Sequence, residues 1–357
     1  MRILHMLPDI GVANGIMSVI LNFAKAMPED IQFDIVYFHQ TENTRQKEIE
    51  ALGGRVYKIS KPSLKSVASN ELKTFFKEHK GEWNALHIHA PHFALFIAPA
   101  AKQAGMKKIC VHCHSTEFSL KGNAKRNQLL SLYSKYFIKD KFACSKLAGD
   151  FWYGAKPYTV VNNAIDCSAF TFNPQIRERA RKNLSLADKP VIGHIGRTDI
   201  PQKNHFFLID VFSEVVKLQP DAVLLLMGAE ETPELKQKCD DCAISGKVFF
   251  LGLRNDVNEL LQACDVFLFP STREGLPVSL IEAQAAGLPM LVSDSVTEEA
   301  AVTDLVRTIS LTKSPCEWAE ECVNLSKVNR RNTLTEMQNA CWDLKSVTEV
   351  LTGYYKN

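Results

Sequence analysis

Arg2 to Phe38 reads RILHMLPDIGVANGIMSVILNFAKAMPEDIQFDIVYF, and this stretch sets the class of fold. It opens on a short apolar run, ILHMLP, passes a Gly-bearing loop into GIMSVILNFAKAM, and returns to FDIVYF. Short apolar runs rich in branched residues read as strands buried on both faces, and the segment between them has helical length. Strand, crossover helix and strand make a βαβ unit of a parallel sheet. Working outward, RVYKIS, ALHIHA, KICVHCHS, KFACS and YTVVNN continue the strand series, with helical segments between several of them.

Near residue 170 the rhythm breaks. DCSAFTFNPQIRERARKNLSLADKP is polar and holds no strand before VIGHIG. Then the alternation restarts: AVLLLMG, VFFLG, VFLFPS, PMLVSD and VRTISL read as strands, and NHFFLIDVFSEVVKLQ, PELKQKCDDCA and DVNELLQACD as helices. Asp256 is placed to cap the last of these, with Glu259 three residues on as a capping box wants. From Ser314 onward the chain reads helical. The expected fold is α/β, with two Rossmann-like doubly wound parallel-sheet domains, residues 1–170 and 171–357, facing a cleft. The final helix is a candidate to pack back on the first domain. Ligands of open α/β sheets bind beyond the carboxyl ends of the strands.

The 357 residues are 46% hydrophobic and 23% charged, an ordinary globular composition. The longest uncharged run, Asn84 to Ala101, carries three His and two Pro, which a lipid-exposed helix would tolerate poorly. MRILHMLP is a first strand in this reading, not a secretion signal. Ten scattered Cys without such a signal point to reduced thiols and a cytoplasmic location. CVHC lies on a strand that sends Cys110 and Cys113 to opposite faces, and CDDC lies late in a distant helix, so neither pair is expected to hold a metal. His87, His89 and His92 cluster in HIHAPH without a carboxylate or Cys neighbour, which also argues against zinc. Residues 1–170 hold 22 Lys and Arg against 14 Asp and Glu, a surplus of eight; the remainder holds 20 against 26, a deficit of six. A basic half beside an acidic half suggests an anionic partner for one of them, by charge alone nucleic acid or a membrane surface.

Five segments carry chemistry. In TREGLPVSLIEAQAAGLP, Glu274 falls at a strand tip before a helix running from Leu276 or Val278 to Ala286, and Glu282 lies about two turns in. Gly287 and Pro289 end that helix. Carboxylates accept paired hydroxyl hydrogens, and helix-end amides at Gly275, Leu276 and Val278 add donors, so the segment suits a polyhydroxyl ligand. Taken singly, Glu274 would serve as a helix-end charge and Glu282 as a solvated helix residue, but a Glu inside the apolar LIEAQAAGLP needs a partner. GHIGRTDIPQKN places Arg197 and Lys203 before a long helix, a setting for a diphosphate. There is no G-x-x-x-x-G-K-[ST] and no G-x-G-x-x-G, which disfavours P-loop and dinucleotide chemistry. In LGLRNDV, Arg254 can reach a base or phosphate, or simply solvent. Gly11 and Gly15 open the loop after the first strand to a ligand. His112 and His114 share one face of a strand end, with Glu117 nearby. Leu120 to Phe142 interleaves Lys121, Lys125, Arg126, Lys135, Lys139 and Lys141 with apolar residues, as a helix lying on anionic lipid does.

Taken together these residues resemble the retaining, nucleotide-sugar-dependent glycosyltransferases of the GT-B fold, in the group known as glycosyltransferase family 4 or glycosyl transferases group 1, of the bacterial capsule, exopolysaccharide and O-antigen type. The resemblance rests on the Gly15–Ile16 loop, HCHSTEF, ACSK at Ala143–Lys146 and VVNNAIDCSAF at Val160–Phe170. It continues through GRTDIPQKN, LLLMG, FLGLRNDV and the Glu274/Glu282 element, and spans nearly the whole chain. It implies that Arg197 and Lys203 hold the donor diphosphate, that Glu282 binds the ribose hydroxyls, and that Glu274 with Gly275 to Val278 binds the donor sugar. His114 would lie near the transferring sugar and Gly15 near the diphosphate. The family's usual E-G-F-G is here E-G-L-P, so Pro277 supplies no amide hydrogen. The implied co-substrate is a UDP-sugar, with no metal or other cofactor. The implied acceptor is a glycan or a polyprenyl-diphosphate-linked glycan, reached by an enzyme peripheral on the inner face of the membrane, without nucleic acid. A sugar-nucleotide epimerase and an inactive nucleotide-sugar-binding subunit share the architecture; the EGLP…E element argues against the first, and the presence of all four charged residues against the second.

Overall fold

The computed structural model describes residues 1–12, 14–63, 65–116, 118, 124–274 and 276–357. Glu117, Lys121 and Gly275, named above as candidates, lie outside them. The chain divides into two compact units, Met1–Ile165 together with Asp343–Asn357, and Asp166–Trp342.

The first unit is a seven-stranded parallel sheet of β1 (Arg2–Leu7), β2 (Gln32–Tyr37), β3 (Val56–Lys58), β4 (Ala85–Ile88), β5 (Ile109–Cys113), β6 (Asp140–Ala143) and β7 (Thr159–Val160), in the order β3-β2-β1-β4-β5-β6-β7. Period-two alternation fills both faces. Leu4 and Met6 pack under Phe75, Phe76 and Trp152, while Ile3 and Leu7 meet Phe23, Leu351 and Tyr355 on the other side. Cys110 and Cys113 fall on opposite faces accordingly. Helix Leu344–Lys356 belongs to this unit: its buried stripe of Leu344, Val347, Leu351 and Tyr355 closes the second face. The chain re-enters where Asp343 bridges Ile165.

The second unit has six parallel strands, β8 (Val191–Ile195), β9 (Val223–Met227), β10 (Val248–Phe250), β11 (Val266–Phe269), β12 (Met290–Ser293) and β13 (Val306–Ile309), in the order β10-β9-β8-β11-β12-β13. In each unit the winding reverses once, at β1/β4 and at β8/β11, and those reversals open a crevice at the carboxyl ends of the strands.

The polar segment after residue 170 holds no strand before β8, as expected, and contains a regular helix, Pro174–Asn183, capped by Asn173 and started by Pro174. It is held by arginines more than by apolar packing: Arg177 and Arg181 donate to carbonyls at the end of helix Val257–Ala263 and pair with Asp265. Two local expectations are corrected. Asp256 does not cap helix Val257–Ala263 with its side chain, because Arg254 takes both carboxylate oxygens. Within the described residues the basic helix is Ala124–Phe137 and stops short of Phe142: Lys139 follows it and Lys141 lies on buried strand β6, while Leu120 and Lys121 lie outside the described residues. Its buried stripe is Asn127, Ser131 and Ser134, while Leu129 (68% exposed), Tyr136 (57%) and Phe137 (67%) face outward. The apolar and polar sides are thus inverted relative to a sheet-covering helix.

Candidate active site

In the second unit the reversal β8/β11 gathers the charged residues. After β8, Gly196 turns the chain. A Cβ there would lie 3.0 Å from Lys203 Cγ and 2.6 Å from His194 Nε2, so only glycine lets the Lys203 stem pass. A short turn, Pro201–Lys203, and a left-handed Asn204 lead into helix His205–Leu218. The loop after β11 is tied to this one: the Thr272 amide donates to the Gln202 carbonyl at 2.8 Å, and the Asn204 side-chain amide donates to the Pro270 carbonyl at 3.1 Å.

This bracing brings Lys203 Nζ to 2.8 Å from Glu274 Oε1, with the two side chains only 14% and 16% exposed. The ammonium also sits 4.7 Å from the centre of the Phe269 ring, a cation–π contact in a partly desolvated setting. Helix Val278–Ala285 starts behind Pro277 with no side-chain cap, which leaves the amides of its first turn as donors. Gly287 ends it at φ +65°; a Cβ there would strike the Arg331 carbonyl. Glu282 on this helix is half-buried as a residue, with its carboxyl desolvated by the surrounding protein. Burial pushes its carboxyl up to about 7, against the pull of the Lys203 ammonium. One cation among two carboxylates can steady an added anion and leave oxygen acceptors for hydroxyl groups.

The other sequence candidates of this unit are placed differently. Arg197 lies on the same loop, but its guanidinium pairs with Asp199 (Nε to Oδ1 2.9 Å) and is 39% exposed. Arg254 forms an exposed bidentate pair with Asp256. Pro277 is buried at the helix entry, with Leu276 and Val278 partly exposed beside it.

In the first unit the reversal β1/β4 carries Gly15 and the histidines. Gly15 opens helix Gly15–Ala26, with Asn14 accepting from the amides of Ile16 and Met17, and the space where its Cβ would stand is open. His112 is fully buried. His114 has both ring nitrogens engaged: Nε2 is 2.8 Å from His89 Nδ1, and Nδ1 is 3.1 Å from Asn163 Oδ1. Burial pushes His114 down to about 4, so the ring is neutral at physiological pH, although its bond to Asn163 works the other way. His92 sits apart, in the turn Pro91–Phe93.

The glycosyl transferases group 1 family matches residues 189–327, within the second unit. EpsF of Bacillus subtilis (strain 168), named as a glycosyltransferase, is 31% identical over 348 residues, covering 92% of this chain and 88% of its own. The chain belongs to the glycosyl transferases group 1 family. Among further relatives, an Escherichia coli UDP-Gal:alpha-D-GlcNAc-diphosphoundecaprenol alpha-1,3-galactosyltransferase is 28% identical over 236 residues, 60% of this chain and 59% of that one. The crystal structure of Anabaena Alr3699/HepE in complex with UDP and glucose superimposes with a TM-score of 0.79 over 100% of both chains at 17% identity. That of WaaG, a glycosyltransferase involved in lipopolysaccharide biosynthesis, gives 0.68 at 14% identity, covering 99% of this chain and 100% of that one. Its two Rossmann-like units make this glycosyltransferase a GT-B protein.

Sequence reasoning missed several residues of the glycosyltransferase's two strand edges. Asn204, Gln202 and Phe269 shape the Lys203–Glu274 pair, and the buried hydroxyls of Ser271 and Ser279 flank it in sequence without a partner among the described residues. Asn163, the second asparagine of VVNNAIDCSAF, is the partner of His114. The pairs of asparagines and serines in loops carried no periodic signal; the one available hint was their place just past a strand end.

Proposed function

We propose that this glycosyltransferase acts with retention, taking a sugar from a UDP-sugar and passing it to a glycan carried on a polyprenyl diphosphate, with no metal ion. The observation that carries the reading is Lys203 paired with Glu274 at the β8/β11 reversal, with Glu282 near enough to feel its charge. An NDP-sugar combines a diphosphate with two polyhydroxyl rings, and this cluster offers one fixed cation, free helix-turn amides and two carboxylates. Glu282 accepts from the ribose hydroxyls, and Glu274 accepts from the donor sugar beside the amides of the helix entry. As the bond from the anomeric carbon to the diphosphate breaks, the electron pair leaves with phosphate. Lys203 and Arg197, released from Asp199, steady that charge where a metal would otherwise serve. The acceptor hydroxyl then bonds to the anomeric carbon on the face the phosphate vacates, and its proton passes to the departing phosphate oxygen. No protein carboxylate forms a bond to the sugar. Pro277 offers no amide, so the first donors of the helix are Val278 and Ser279, which shifts sugar choice and leaves the leaving-group chemistry unchanged.

The UDP assignment draws on the uridine nucleotides named for two of the similar proteins, and the polyprenyl acceptor on the diphosphoundecaprenol of one. A lipid-linked acceptor brings the enzyme to a membrane. Among the described residues no helix is long and apolar enough to cross one. The inverted helix Ala124–Phe137, with Leu129, Tyr136 and Phe137 outward beside Lys125, Arg126 and Lys135, supports peripheral attachment to anionic lipid on the cytoplasmic face.

Thermal-shift measurements across UDP-, GDP- and ADP-sugars test the donor, followed by hydrolysis assays with and without a chelator on the best of them. UDP-sugars are expected to stabilise the parent, Glu282→Ala to abolish most of the shift, and a chelator to leave turnover unchanged. A parent that no nucleotide sugar stabilises would overturn the reading.

A further inference from the structure

Five histidines of the first unit form one array. Strands β1, β4 and β5 are neighbours, with His5 in register with His87 and His87 with Cys110. Alternate residues on a strand share a face, so His5, His87, His89, His112 and His114 lie on the same side of the sheet. The rings stack: centroids are 4.4 Å apart for His87–His89 at 11°, 5.0 Å for His5–His87 and 5.1 Å for His89–His114 at 28°. Two trios of these imidazoles bring nitrogens within 4.8 Å of one another. In each trio, however, two of these nitrogens meet one another at hydrogen-bond distance, so they are engaged without an ion.

The ring edges instead join in a chain. His5 Nδ1 is 2.8 Å from His89 Nε2, His89 Nδ1 is 2.8 Å from His114 Nε2, and His114 Nδ1 is 3.1 Å from Asn163 Oδ1. A neutral imidazole has one N–H and one lone pair, so a chain of them has a single polarity throughout. An amide oxygen only accepts. His114 therefore carries its proton on Nδ1 and takes a hydrogen bond at Nε2; His89 and His5 are likewise Nδ1–H. The far end, His5 Nε2, has no partner among the described residues. In this polarity that end is a bare lone pair. The reverse polarity would need the Asn163 amide turned over, and would strand a buried N–H there, which costs more. Burial holds His5 and His89 below their usual range as well, although Asp34 acts the other way on His5. The Tyr355 hydroxyl meets His87 at 2.7 Å, off the chain.

We propose that His89 is a positioning residue: backed by His5, it commits His114 to the Nδ1–H tautomer, so that His114 meets a sugar hydroxyl as a neutral hydrogen-bond donor, and Asn163 Oδ1 occupies that hydroxyl's place until the sugar arrives. This rests on the reading that His114 lies at the sugar of a glycosyl-transfer reaction. It assigns to His114 a donor role and no general-base role, since its lone pair is already taken. It also assigns Asn163 to the same sugar-binding edge.

Nitrogen-15 NMR of the histidine-labelled, ligand-free full chain reads the tautomer directly and needs no substitution. His114 is expected with its proton on Nδ1; a proton on Nε2 overturns the proposal. Kinetics then test the role. His89→Leu should lower kcat/KM for the nucleotide sugar about tenfold, the effect of one neutral hydrogen bond, while the Kd for UDP, which lacks the sugar, stays at the parent value. His89→Asn, whose side-chain amide can replace the Nδ1–H, should recover most of that loss. Equal losses for Leu and Asn, or a matching loss in UDP affinity, would mark a structural role only and overturn the assignment. An Nδ1–H signal in a protein that binds no sugar nucleotide would overturn glycosyl transfer, and with it the role of His89, while the polarity of the chain would stand.

Discussion

The two strand reversals of this glycosyltransferase are built from opposite materials. At β1/β4 and its neighbour β5 the first unit places neutral, stacked imidazoles; at β8/β11 the second places an ammonium paired with one carboxylate and acting on another. The net charges run the other way from what a diphosphate site would suggest. The first unit, Met1–Ile165 with Asp343–Asn357, holds 24 Lys and Arg against 15 Asp and Glu, and the second holds 18 against 25. The acidic unit thus carries the site read here as anion-binding, and the basic unit a neutral edge. Short-range placement of one partly desolvated Lys203 outweighs a diffuse surplus of surface charge, because exposed charges are screened within about 8–10 Å and a half-buried pair is not.

Removing that lysine is the most severe way to break the contrast. Lys203→Ala strips the edge of its fixed cation, breaks the ion pair of Glu274 and removes the positive charge that acts on Glu282. Turnover is expected to fall about 10²–10³-fold, the scale for losing one group that stabilises a leaving charge. Arg197→Ala starts from an exposed pairing with Asp199 and should cost about tenfold, more in turnover than in UDP affinity. Steady-state kinetics beside UDP titration calorimetry checks both. Parent-like turnover in Lys203→Ala would end the claim that the charged edge does the chemistry.

The second contrast, basic exterior against neutral interior edge, is sharpened on the outer helix of the first unit. Lys125→Gln with Arg126→Gln removes two charges, each contributing about 1 kcal/mol near an anionic surface, so vesicle partitioning should fall roughly thirty-fold. Leu129→Ser with Phe137→Ser should weaken binding while leaving its salt dependence in place. Pelleting with phosphatidylglycerol vesicles at low and high salt separates the cases. Recovery that is equal for parent and variants, and indifferent to salt, would remove the lipid partner.

Much of this architecture could be read from residue order alone. Continuous apolar runs announced parallel strands buried on both faces, and a Glu inside the apolar LIEAQAAGLP had to have a partner. Lys203 is the neighbour that acts on it, from the loop named for phosphate. The rest was hidden for definite reasons. A helix held by arginine–carbonyl bonds, Pro174–Asn183, has no apolar period to detect. Asp256 fits a capping pattern, yet a bidentate guanidinium two residues away competes for the same oxygens. The histidine chain exists only because β1, β4 and β5 stand side by side, a fact of strand order that no local window contains. The helix Ala124–Phe137 alternates in a way that left open which side faced the sheet, and the small polar side turned inward.

The finest test of the charged edge is its proton. Glu282 titrates near 7 in the folded chain against 4.5 for an ordinary glutamate, chiefly from burial. Between those values the native state holds a proton that the unfolded state has lost, so stability falls as pH rises from about 4.5 to about 7 and stays lower above it. Glu282→Gln should therefore melt higher than the parent at pH 8 and at the same temperature near pH 4.5. Binding runs in the other direction. A ribose that donates two hydroxyl hydrogens needs the carboxylate, so the ligand favours proton loss, and parent affinity for a UDP-sugar, whose diphosphate does not titrate here, should rise about tenfold from pH 6 to pH 8. In Glu282→Gln the affinity should be weak and lose this rise. Calorimetry in buffers of different ionisation enthalpy adds a second reading with a UDP-sugar, whose diphosphate diester carries no proton at pH 6: binding there should release close to one proton from the parent and none from the variant. A parent that binds a UDP-sugar with the same affinity and no proton release across this range would place the ribose elsewhere, and would leave Glu282 as a desolvated acid whose only effect is on stability.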